Sequence, residues 1–267
     1  MSTQLTRILA HTLLEVNARK AVADYAQLER AAAAHTPRGF AANLLRVAAT
    51  GPAVIAELKK ASPSKGLIRS DFDPVKLATA LEEAGAAALS VLTDSEFFQG
   101  SIENLVAASA AVKIPCLRKD FILDPLQILE ARAAGADAIL LIVSAHTDDA
   151  LDHLHREAIA LGLDVLCETH DATEIRRATD LGFNLIGVNA RDLRSFTVNT
   201  ESLVELGGLL PVGAVRVAES GIRSAADIVQ LRAAGYHGFL VGETLMRQPD
   251  VGAALELLLD VQAAQES

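Results

Sequence analysis

Charged and polar side chains stand at the ends of short apolar segments of this chain, and several are of types that transfer protons. Residues 54–59 read Val-Ile-Ala-Glu-Leu-Lys. In an extended strand, alternation places Ile55, Glu57 and Lys59 on one face. A neighbouring carboxylate and ammonium can accept and donate protons. A solvated strand end is the alternative for any one such residue, but the pattern repeats at the ends of four later segments, with Lys119, Glu168, Asn189 and Ser220.

Two glycine-containing turns indicate where an anion could bind. The turns at 220–221 and 242–243 each follow an apolar segment and precede a predicted helix. Backbone N–H groups at the start of a helix bind phosphate readily. The loop 60–67, which includes Ser62, combines small, turn-forming and basic residues. This composition predicts a mobile lid over an anionic substrate, with an ordinary surface loop as the alternative.

The elements that would position these residues follow a repeating pattern. Short runs rich in Val, Ile and Leu alternate with longer stretches of helical period, and the run starts lie about 20 to 34 residues apart. This is the length of one strand, one helix and two loops, so the strands are expected to be parallel. The eight predicted strands are Val54–Lys59, Ala88–Leu92, Cys116–Lys119, Ala138–Val143, Val165–Glu168, Leu185–Asn189, Val215–Ser220 and Gly238–Val241.

Eight such units predict an α/β fold, a single (β/α)8 TIM barrel. Glycines at 85, 135, 182 and 235 each follow a helical stretch and precede a strand, as helix C-caps do. A doubly wound open sheet is the alternative, but no Gly-x-Gly-x-x-Gly follows the first strand. Residues 1–48 are predicted to be an amino-terminal helical extension packed on the barrel, and residues 1–267 are predicted to form one domain.

Composition limits the class of protein. Of 267 residues, 51% are hydrophobic, and 24 Lys+Arg against 34 Asp+Glu give a net charge of −10. Disorder is therefore excluded, and the acidic balance argues against a nucleic-acid partner. No apolar run reaches the roughly 20 residues of a membrane span, and the first 20 residues lack the pattern of a secretory signal. We therefore expect a cytoplasmic protein whose two cysteines, Cys116 and Cys167, are buried free thiols.

Six motifs follow one another along nearly the whole chain. They are Ile-Ala-Glu-Leu-Lys-Lys-Ala-Ser-Pro-Ser-Lys-Gly at 55–66, Leu-Thr-Asp-x-x-Phe-Phe-Gln-Gly-Ser at 92–101, Leu-Arg-Lys-Asp-Phe-Ile at 117–122, Cys-Glu-Thr-His at 167–170, Gly-Val-Asn-Ala-Arg-Asp-Leu at 187–193 and Ala-Glu-Ser-Gly-Ile at 218–222. In this order they resemble the indole-3-glycerol-phosphate synthase family of tryptophan biosynthesis. The resemblance implies a carbon-carbon lyase that converts 1-(2-carboxyphenylamino)-1-deoxyribulose 5-phosphate into indole-3-glycerol phosphate, carbon dioxide and water without a cofactor.

The resemblance also implies roles for individual residues. Lys119 resembles the acid of ring closure, Glu168 the base, and Lys59 either the acid of dehydration or an anion contact. Glu57 and Asn189 would orient these groups and the substrate hydroxyls. The implied catalytic set is Glu57, Lys59, Lys119, Glu168, Asn189 and Ser220, and the implied substrate-binding set is Ser62, Phe98, Phe121, Leu140, Arg191, Leu193, Gly221, Gly242 and Glu243.

Within the binding set, the resemblance implies that three groups of residues contact three different parts of the substrate. Ser220, Gly221 and Gly242 would hold the phosphate, with Glu243 contributing only its backbone N–H. Arg191 would meet the carboxylate or support Asn189. An apolar slot for the aromatic ring would be lined by Phe98, Phe121, Leu140 and Leu193. The chain departs from the family pattern at Ala190 and Glu243.

Two alternative functions share parts of this pattern. A related isomerase barrel, such as phosphoribosylanthranilate isomerase, shares the late phosphate turns but does not need a Lys-Glu pair on the first strand plus a lysine on the third. A barrel that only binds a phosphorylated ligand would lack several of the polar strand ends. We expect a small, anionic, phosphorylated substrate and no metal, membrane or nucleic acid, since His153 and His155 have no third ligand. A monomer is favoured, and an oligomer is left open.

Overall fold

The computed structural model describes residues 4–191 and 200–261. In that part of the chain, eight parallel strands close into a barrel. The barrel strands are β1 (Ala53–Leu58), β4 (Ala88–Leu92), β5 (Cys116–Lys119), β6 (Ala138–Ile142), β7 (Asp164–Thr169), β8 (Leu185–Asn189), β9 (Val215–Glu219) and β10 (Gly238–Val241). Their order around the barrel is β1-β10-β9-β8-β7-β6-β5-β4, so each strand pairs with the barrel strands that precede and follow it in the sequence. The predicted (β/α)8 barrel is confirmed, and the doubly wound alternative is wrong.

Helices surround the barrel and separate its strands. Most begin at a side-chain cap, such as Asp73, Asp124 or Asp171, that accepts hydrogen bonds from the first turn. Those after the extension are α4 (Pro74–Glu83), α5 (Ser95–Phe98), α6 (Ile102–Ala111), α7 (Pro125–Ala133), α8 (Asp148–Ala160), α9 (Ala172–Asp180), α10 (Glu201–Gly207), α11 (Ala225–Ala233), α12 (Glu243–Met246) and α13 (Val251–Leu259). A 3₁₀ turn covers Val143–Ala145, so Val143, the last residue of the predicted strand Ala138–Val143, begins this turn instead.

The predicted amino-terminal extension is helical, with α1 (Gln4–Lys20), α2 (Tyr25–Ala34) and α3 (Phe40–Ala48). Helix α3 closes the amino-terminal end of the barrel, since its Phe40 and Leu44 are buried in one cluster with the inward residues Ile55 and Val217. Helix α1 runs toward the opposite end, where Lys20 pairs with the α7 cap at 2.6 Å. The extension thus packs on both ends of the barrel.

The linker between α2 and α3 is fastened by one buried carboxylate, Asp137, at the amino-terminal end of β6. Its oxygens accept bonds from the Arg38 backbone N–H at 2.7 Å, the Arg38 side chain and the Cys116 backbone N–H at 2.6 Å, and lie 3.1 Å from His35 Nε2. A buried charge is tolerated where it is paired and hydrogen-bonded in this way.

Side chains of β1 alternate as predicted. Ile55 belongs to the apolar cluster inside the barrel, whereas Val54, Ala56 and Leu58 belong to the layer between strands and helices. The strand itself ends at Leu58, one residue earlier than predicted. Glu57 therefore faces inward from the carboxyl end of β1, and Lys59 follows it in the first loop position.

The two cysteines and two helical histidines can also be placed. Cys116 and Cys167 are buried free thiols in the outer apolar layer, as predicted. Burial raises the pKa of Cys116 to about 12, so the thiol is unreactive. His153 is exposed, whereas His155 is only partly exposed, because its ring stacks on Phe183 at a centroid distance of 4.2 Å.

The loop 60–67 contains two short strands that were not predicted. Strands β2 (Ala61–Ser62) and β3 (Gly66–Leu67) pair as an antiparallel hairpin. Gly66 has a φ of +63°, a conformation that glycine adopts without steric cost. This hairpin stands beside the carboxyl end of β1, where a lid would be needed.

Candidate active site

A cavity of about 790 Å³ opens at the carboxyl ends of the barrel strands. Active sites of TIM barrels are built at this end, from the strand ends and the loops that follow them. Leu193 lies outside the described residues. Every other residue of the predicted site lines the cavity: Glu57, Lys59, Ser62, Phe98, Lys119, Phe121, Leu140, Glu168, Asn189, Arg191, Ser220, Gly221, Gly242 and Glu243.

Glu57 and Lys59 form an ion pair on one side of the cavity, with Nζ 2.5 Å from Oε1. Burial acts in the opposite direction, but the positive charges of Lys59 and Lys119 lower the pKa of Glu57. The carboxylate is therefore ionised at neutral pH. A Cβ at position 242 would lie 2.3 Å from Glu57 Oε1, so the pair needs the glycine of the last strand's turn.

Lys119 lies in the same cavity between two carboxyl groups. Its Nζ is 3.5 Å from Glu168 Oε2 and 3.8 Å from Glu219 Oε2. Burial disfavours the charged amine, but the negative charges of Glu168, Glu219 and Glu57 raise the pKa of Lys119. Lys119 is therefore an ammonium, with a proton to donate into the cavity.

The two carboxyl groups beside Lys119 differ in charge. Although burial opposes ionisation, Lys119 and His170 lower the pKa of Glu168. Burial and the negative charge of Glu168 raise the pKa of Glu219 well above its ordinary value. Glu168 is thus the ionised member and Glu219 the protonated one. This arrangement places a base and an acid within reach of one substrate.

The turn after β9 has an unusual backbone. Ser220 has a φ of +67° and Gly221 a φ of +80°, so two successive residues lie in the left-handed region. Such a conformation is costly for Ser220 and free for Gly221. The neighbouring turn after β10 is tied to it, because Thr244 Oγ1 donates to the Ile222 carbonyl at 2.8 Å. The two predicted anion-binding turns are thereby joined at one edge of the cavity.

The predicted lid, which is the β2–β3 hairpin, contacts residues that follow the ends of two barrel strands. Arg191 Nη1 lies 3.5 Å from Ser64 Oγ of the β2–β3 hairpin, and Lys65 Nζ lies 4.0 Å from Glu243 Oε1. The Glu243 carboxylate itself accepts a bond from Arg247 at 2.9 Å. The side chain of Glu243 is therefore engaged with cations of the chain, which leaves its backbone N–H as the group available to a ligand.

Apolar residues line the side of the cavity below the hairpin. The rings of Phe98 and Phe121 lie 6.3 Å apart, tilted by 39°. Leu140 faces the same space and is also a member of the apolar cluster inside the barrel. An aromatic substrate ring would find apolar contacts here, while its charged groups met the ion pairs above.

The sequence matches the family described as indole-3-glycerol phosphate synthase over residues 5–258. The indole-3-glycerol phosphate synthase of Koribacter versatilis is 59% identical over 97% of this chain and 100% of that protein. That of Rhizorhabdus wittichii is 53% identical over 97% of this chain and 99% of that protein. The chain belongs to the indole-3-glycerol phosphate synthase family. Its function is therefore that of a carboxy-lyase of tryptophan biosynthesis, as the motifs predicted.

Similarity to solved structures extends further but shows the fold alone. A 3-hexulose-6-phosphate synthase structure matches with a TM-score of 0.63 at 17% identity, covering 77% of this chain and 97% of that one. The fold is thus shared with enzymes of other reactions, and family membership decides between them. The isomerase alternative and the barrel that only binds a ligand are both wrong for this chain.

Two ionisable groups beside these residues, one buried and one half-buried, were not among the predicted site residues. Glu219 ends β9 and is 1% exposed, yet neither of its oxygens has a hydrogen-bond donor within the described residues. The side-chain alternation of β9 could have indicated Glu219, because Val215 and Val217 face the barrel interior and Glu219 is the next residue on the same face. The predicted strand ran on to Ser220, whose positive φ in fact ends it. The second missed group is His170, whose Nε2 lies 3.4 Å from Glu168 Oε1.

Residues 4–191 and 200–261 contain no group of three His, Cys, Asp or Glu side chains placed to hold a metal ion. Within the same ranges, no helix combines the length and the hydrophobicity of a membrane-spanning segment.

Proposed function

We propose that the charged groups around the cavity supply two acids and one base for the proton transfers of this enzyme's reaction. In ring closure, the substrate's ring carbon that bears the carboxylate attacks the ketone carbon. The carbonyl electron pair moves to oxygen, which takes a proton. The observation that carries the proposal is the Lys119 ammonium, which lies between Glu168 and Glu219 in the cavity that the Glu57–Lys59 pair also lines.

Lys119 is the acid of closure in this proposal. Its ammonium faces the cavity, and the carboxyl groups around it raise its pKa so that the proton is present at neutral pH. Donation to the developing alkoxide leaves a neutral amine and a hydroxyl. Loss of carbon dioxide then returns the electron pair of the broken bond to the ring and restores its aromaticity.

Dehydration needs a second proton and a base. Lys59 supplies the proton to the departing hydroxyl or holds the substrate's anionic group, and the ring nitrogen provides the electron pair that expels water. Glu168, kept ionised by its cationic neighbours, removes the carbon-bound proton that completes the indole ring. Glu57 and Asn189 orient Lys59 and the hydroxyls, and the protonated Glu219 can donate a hydrogen bond to a substrate oxygen.

Binding rests on three other groups of residues. Ser220, Gly221, Gly242 and the backbone N–H of Glu243 hold the phosphate, with the helix dipole of the following elements as support. Arg191 meets the carboxylate, and Ser62 belongs to the hairpin that covers it. Phe98, Phe121 and Leu140 form the slot for the aromatic ring, to which Leu193 is assigned as well.

The proposal further includes one domain over residues 1–267, a cytoplasmic location, a monomer as the working unit and no requirement for metal or cofactor. It is tested by following the fluorescence of indole-3-glycerol phosphate formed by the purified protein. Ring closure with release of carbon dioxide should proceed after exhaustive treatment with EDTA. If chelation abolished turnover and added metal restored it, the assignment of all acid and base roles to side chains would be wrong.

A further inference from the structure

One half-buried ionisable group behind the cavity wall has no part in the mechanism above. His170 follows β7 directly, two residues after Glu168, and its side chain is 15% exposed. It does not line the cavity, so it does not meet substrate. Its position behind the base makes it a candidate to act through Glu168.

The His170 imidazole lies between two carboxylates. Nδ1 is 3.0 Å from Glu174 Oε2, an oxygen that also accepts the His170 backbone N–H at 2.9 Å. Nε2 is 3.4 Å from Glu168 Oε1, an ion-pair contact without hydrogen-bond geometry. A neutral imidazole would turn a bare lone pair toward one of these carboxylates, whereas an imidazolium carries an N–H on both nitrogens and is attracted to both carboxylates. The geometry therefore favours the cationic ring.

The charges that face the ring support the same state. Glu168 and Glu174 lie on either side of it, Glu219 lies beyond Glu168, and Lys119 contacts the far oxygen of Glu168. Burial opposes the charge, but hydrogen bonding and attraction to Glu168 and Glu174 raise the pKa of His170 to about 10. The ring is thus charged over the neutral pH range.

A fixed cation behind Glu168 has a consequence during turnover. Once Lys119 has given its proton to the ketone, it no longer neutralises Glu168, which is left buried beside Glu219. A carboxylate in such a site takes up a proton unless another positive charge remains. A protonated Glu168 could not accept the proton of the dehydration step.

We propose that His170 is a positioning residue, an imidazolium that holds Glu168 in orientation and in its ionised form while Lys119 is discharged. The inference rests on the proposed role of Glu168 as the base. It assigns His170 no contact with substrate, so removal of the ring should change kcat and leave KM nearly unchanged.

The main test compares His170→Asn with His153→Asn, a matched change at an exposed histidine of α8. His170→Asn should lower kcat about 10- to 100-fold, the range seen when partners behind a reactive group are removed. On the acid side, its kcat should begin to fall at a higher pH than in the parent protein, because Glu168 takes up a proton more readily. His153→Asn should match the parent in both measurements.

Folded His170→Asn protein with the parent kcat and the parent acid limb would overturn the inference, as would a change in KM alone. Glu168→Gln tests the role of Glu168 separately from that of His170. Full activity of this variant would show that Glu168 is not the base. If His170→Asn does not fold, Glu174→Gln takes its place. This variant keeps the imidazole ring but removes one of the two carboxylates that raise the pKa of His170. His170 should therefore lose its proton at a lower pH, and the alkaline fall in kcat should begin at a lower pH than in the parent protein. An unchanged alkaline limb would overturn the inference.

Discussion

Two fully buried carboxyl groups at opposite ends of the barrel differ in how they are paired. Asp137, at the amino-terminal end of β6, accepts bonds from the Arg38 backbone and side chain and from the Cys116 backbone. Glu219, at the carboxyl end of β9, meets no hydrogen-bond donor in the described ranges 4–191 and 200–261. Position 137 is 0% exposed and position 219 is 1% exposed.

This difference indicates that Asp137 stabilises the fold, whereas Glu219 serves the reaction. A buried carboxyl without a hydrogen-bond donor costs free energy, so a fold retains one where its unsatisfied oxygens are used by something else. Even the backbone makes room for Glu219, since a Cβ at Gly187 would lie 2.1 Å from its Oε1. The amino-terminal end thus fixes the extension, and the carboxyl end holds charged groups ready for a substrate.

The largest effect is expected at the carboxyl end, from Lys119→Met. Methionine keeps much of the side-chain length but cannot donate a proton, so kcat should fall about 10²- to 10⁴-fold, with a smaller change in KM. Stopped assays of product fluorescence measure both constants, and circular dichroism confirms the fold. Near-normal kcat in folded protein would show that Lys119 is not the acid.

The next effect is expected at the amino-terminal end, from Asp137→Asn. The amide would turn an N–H₂ group toward donors of Arg38 or Cys116 and leave the guanidinium without its counter-charge. Breaking a buried pair in this way costs about 3–5 kcal/mol. Urea unfolding should show this loss, while kcat per folded molecule stays at the parent value. Asp148→Asn, which breaks the exposed pair with Arg177, is the control and should cost about 0–1 kcal/mol.

The sequence predicted the carboxyl end better than the amino-terminal end, for a physical reason. Alternation along one strand is local, so Glu57 could be placed inside the barrel from six residues of sequence. The bond of Arg38 to Asp137 joins residues 99 positions apart, and nothing in either segment indicates the partner. The number and order of the barrel strands were likewise predictable, because each βα unit repeats the same pattern.

Errors at the carboxyl end arose where the backbone leaves its regular path. The positive φ of Ser220 ends β9 at Glu219, so the inward side chain is the carboxyl and not the hydroxyl. The contact of His170 with Glu174 forms only when α9 begins at Ala172 and turns its first turn back toward β7. Strand periodicity carries no information on either feature.

A smaller effect is expected from Gly221→Val in the phosphate turn. Valine at a φ of +80° is strained, and its branched side chain would stand where a phosphate approaches the backbone. KM should rise about 10- to 100-fold, which corresponds to one or two lost bonds to a charged group. Competitive inhibition by inorganic phosphate should weaken in parallel, with a smaller change in kcat.

Gly182→Val is the matched control for that substitution. Gly182 follows α9 with a φ of +77° and has open space around its would-be Cβ, so it carries the same backbone strain at the other end of the barrel. Its stability should fall, while KM and phosphate inhibition stay at the parent values. A rise in KM of equal size in both variants would attribute the effect to strain and place the phosphate elsewhere.

The smallest change in stability is expected from Glu219→Gln, the counterpart of Asp137→Asn. Burial and Glu168 raise the pKa of Glu219 in the folded protein, so the folded state holds a proton that the unfolded state releases. This contribution to stability is present below the unfolded pKa of about 4.3 and is lost as pH rises through the folded value.

Glutamine resembles the protonated form, so the free energy of unfolding of Glu219→Gln should differ from that of the parent by less than about 1 kcal/mol at mildly acidic pH and should decline less as pH rises. Urea unfolding across that pH range measures both quantities. A loss as large as that of Asp137→Asn would mean that Glu219 is paired and ionised in the folded protein, and the contrast between the two ends of the barrel would disappear.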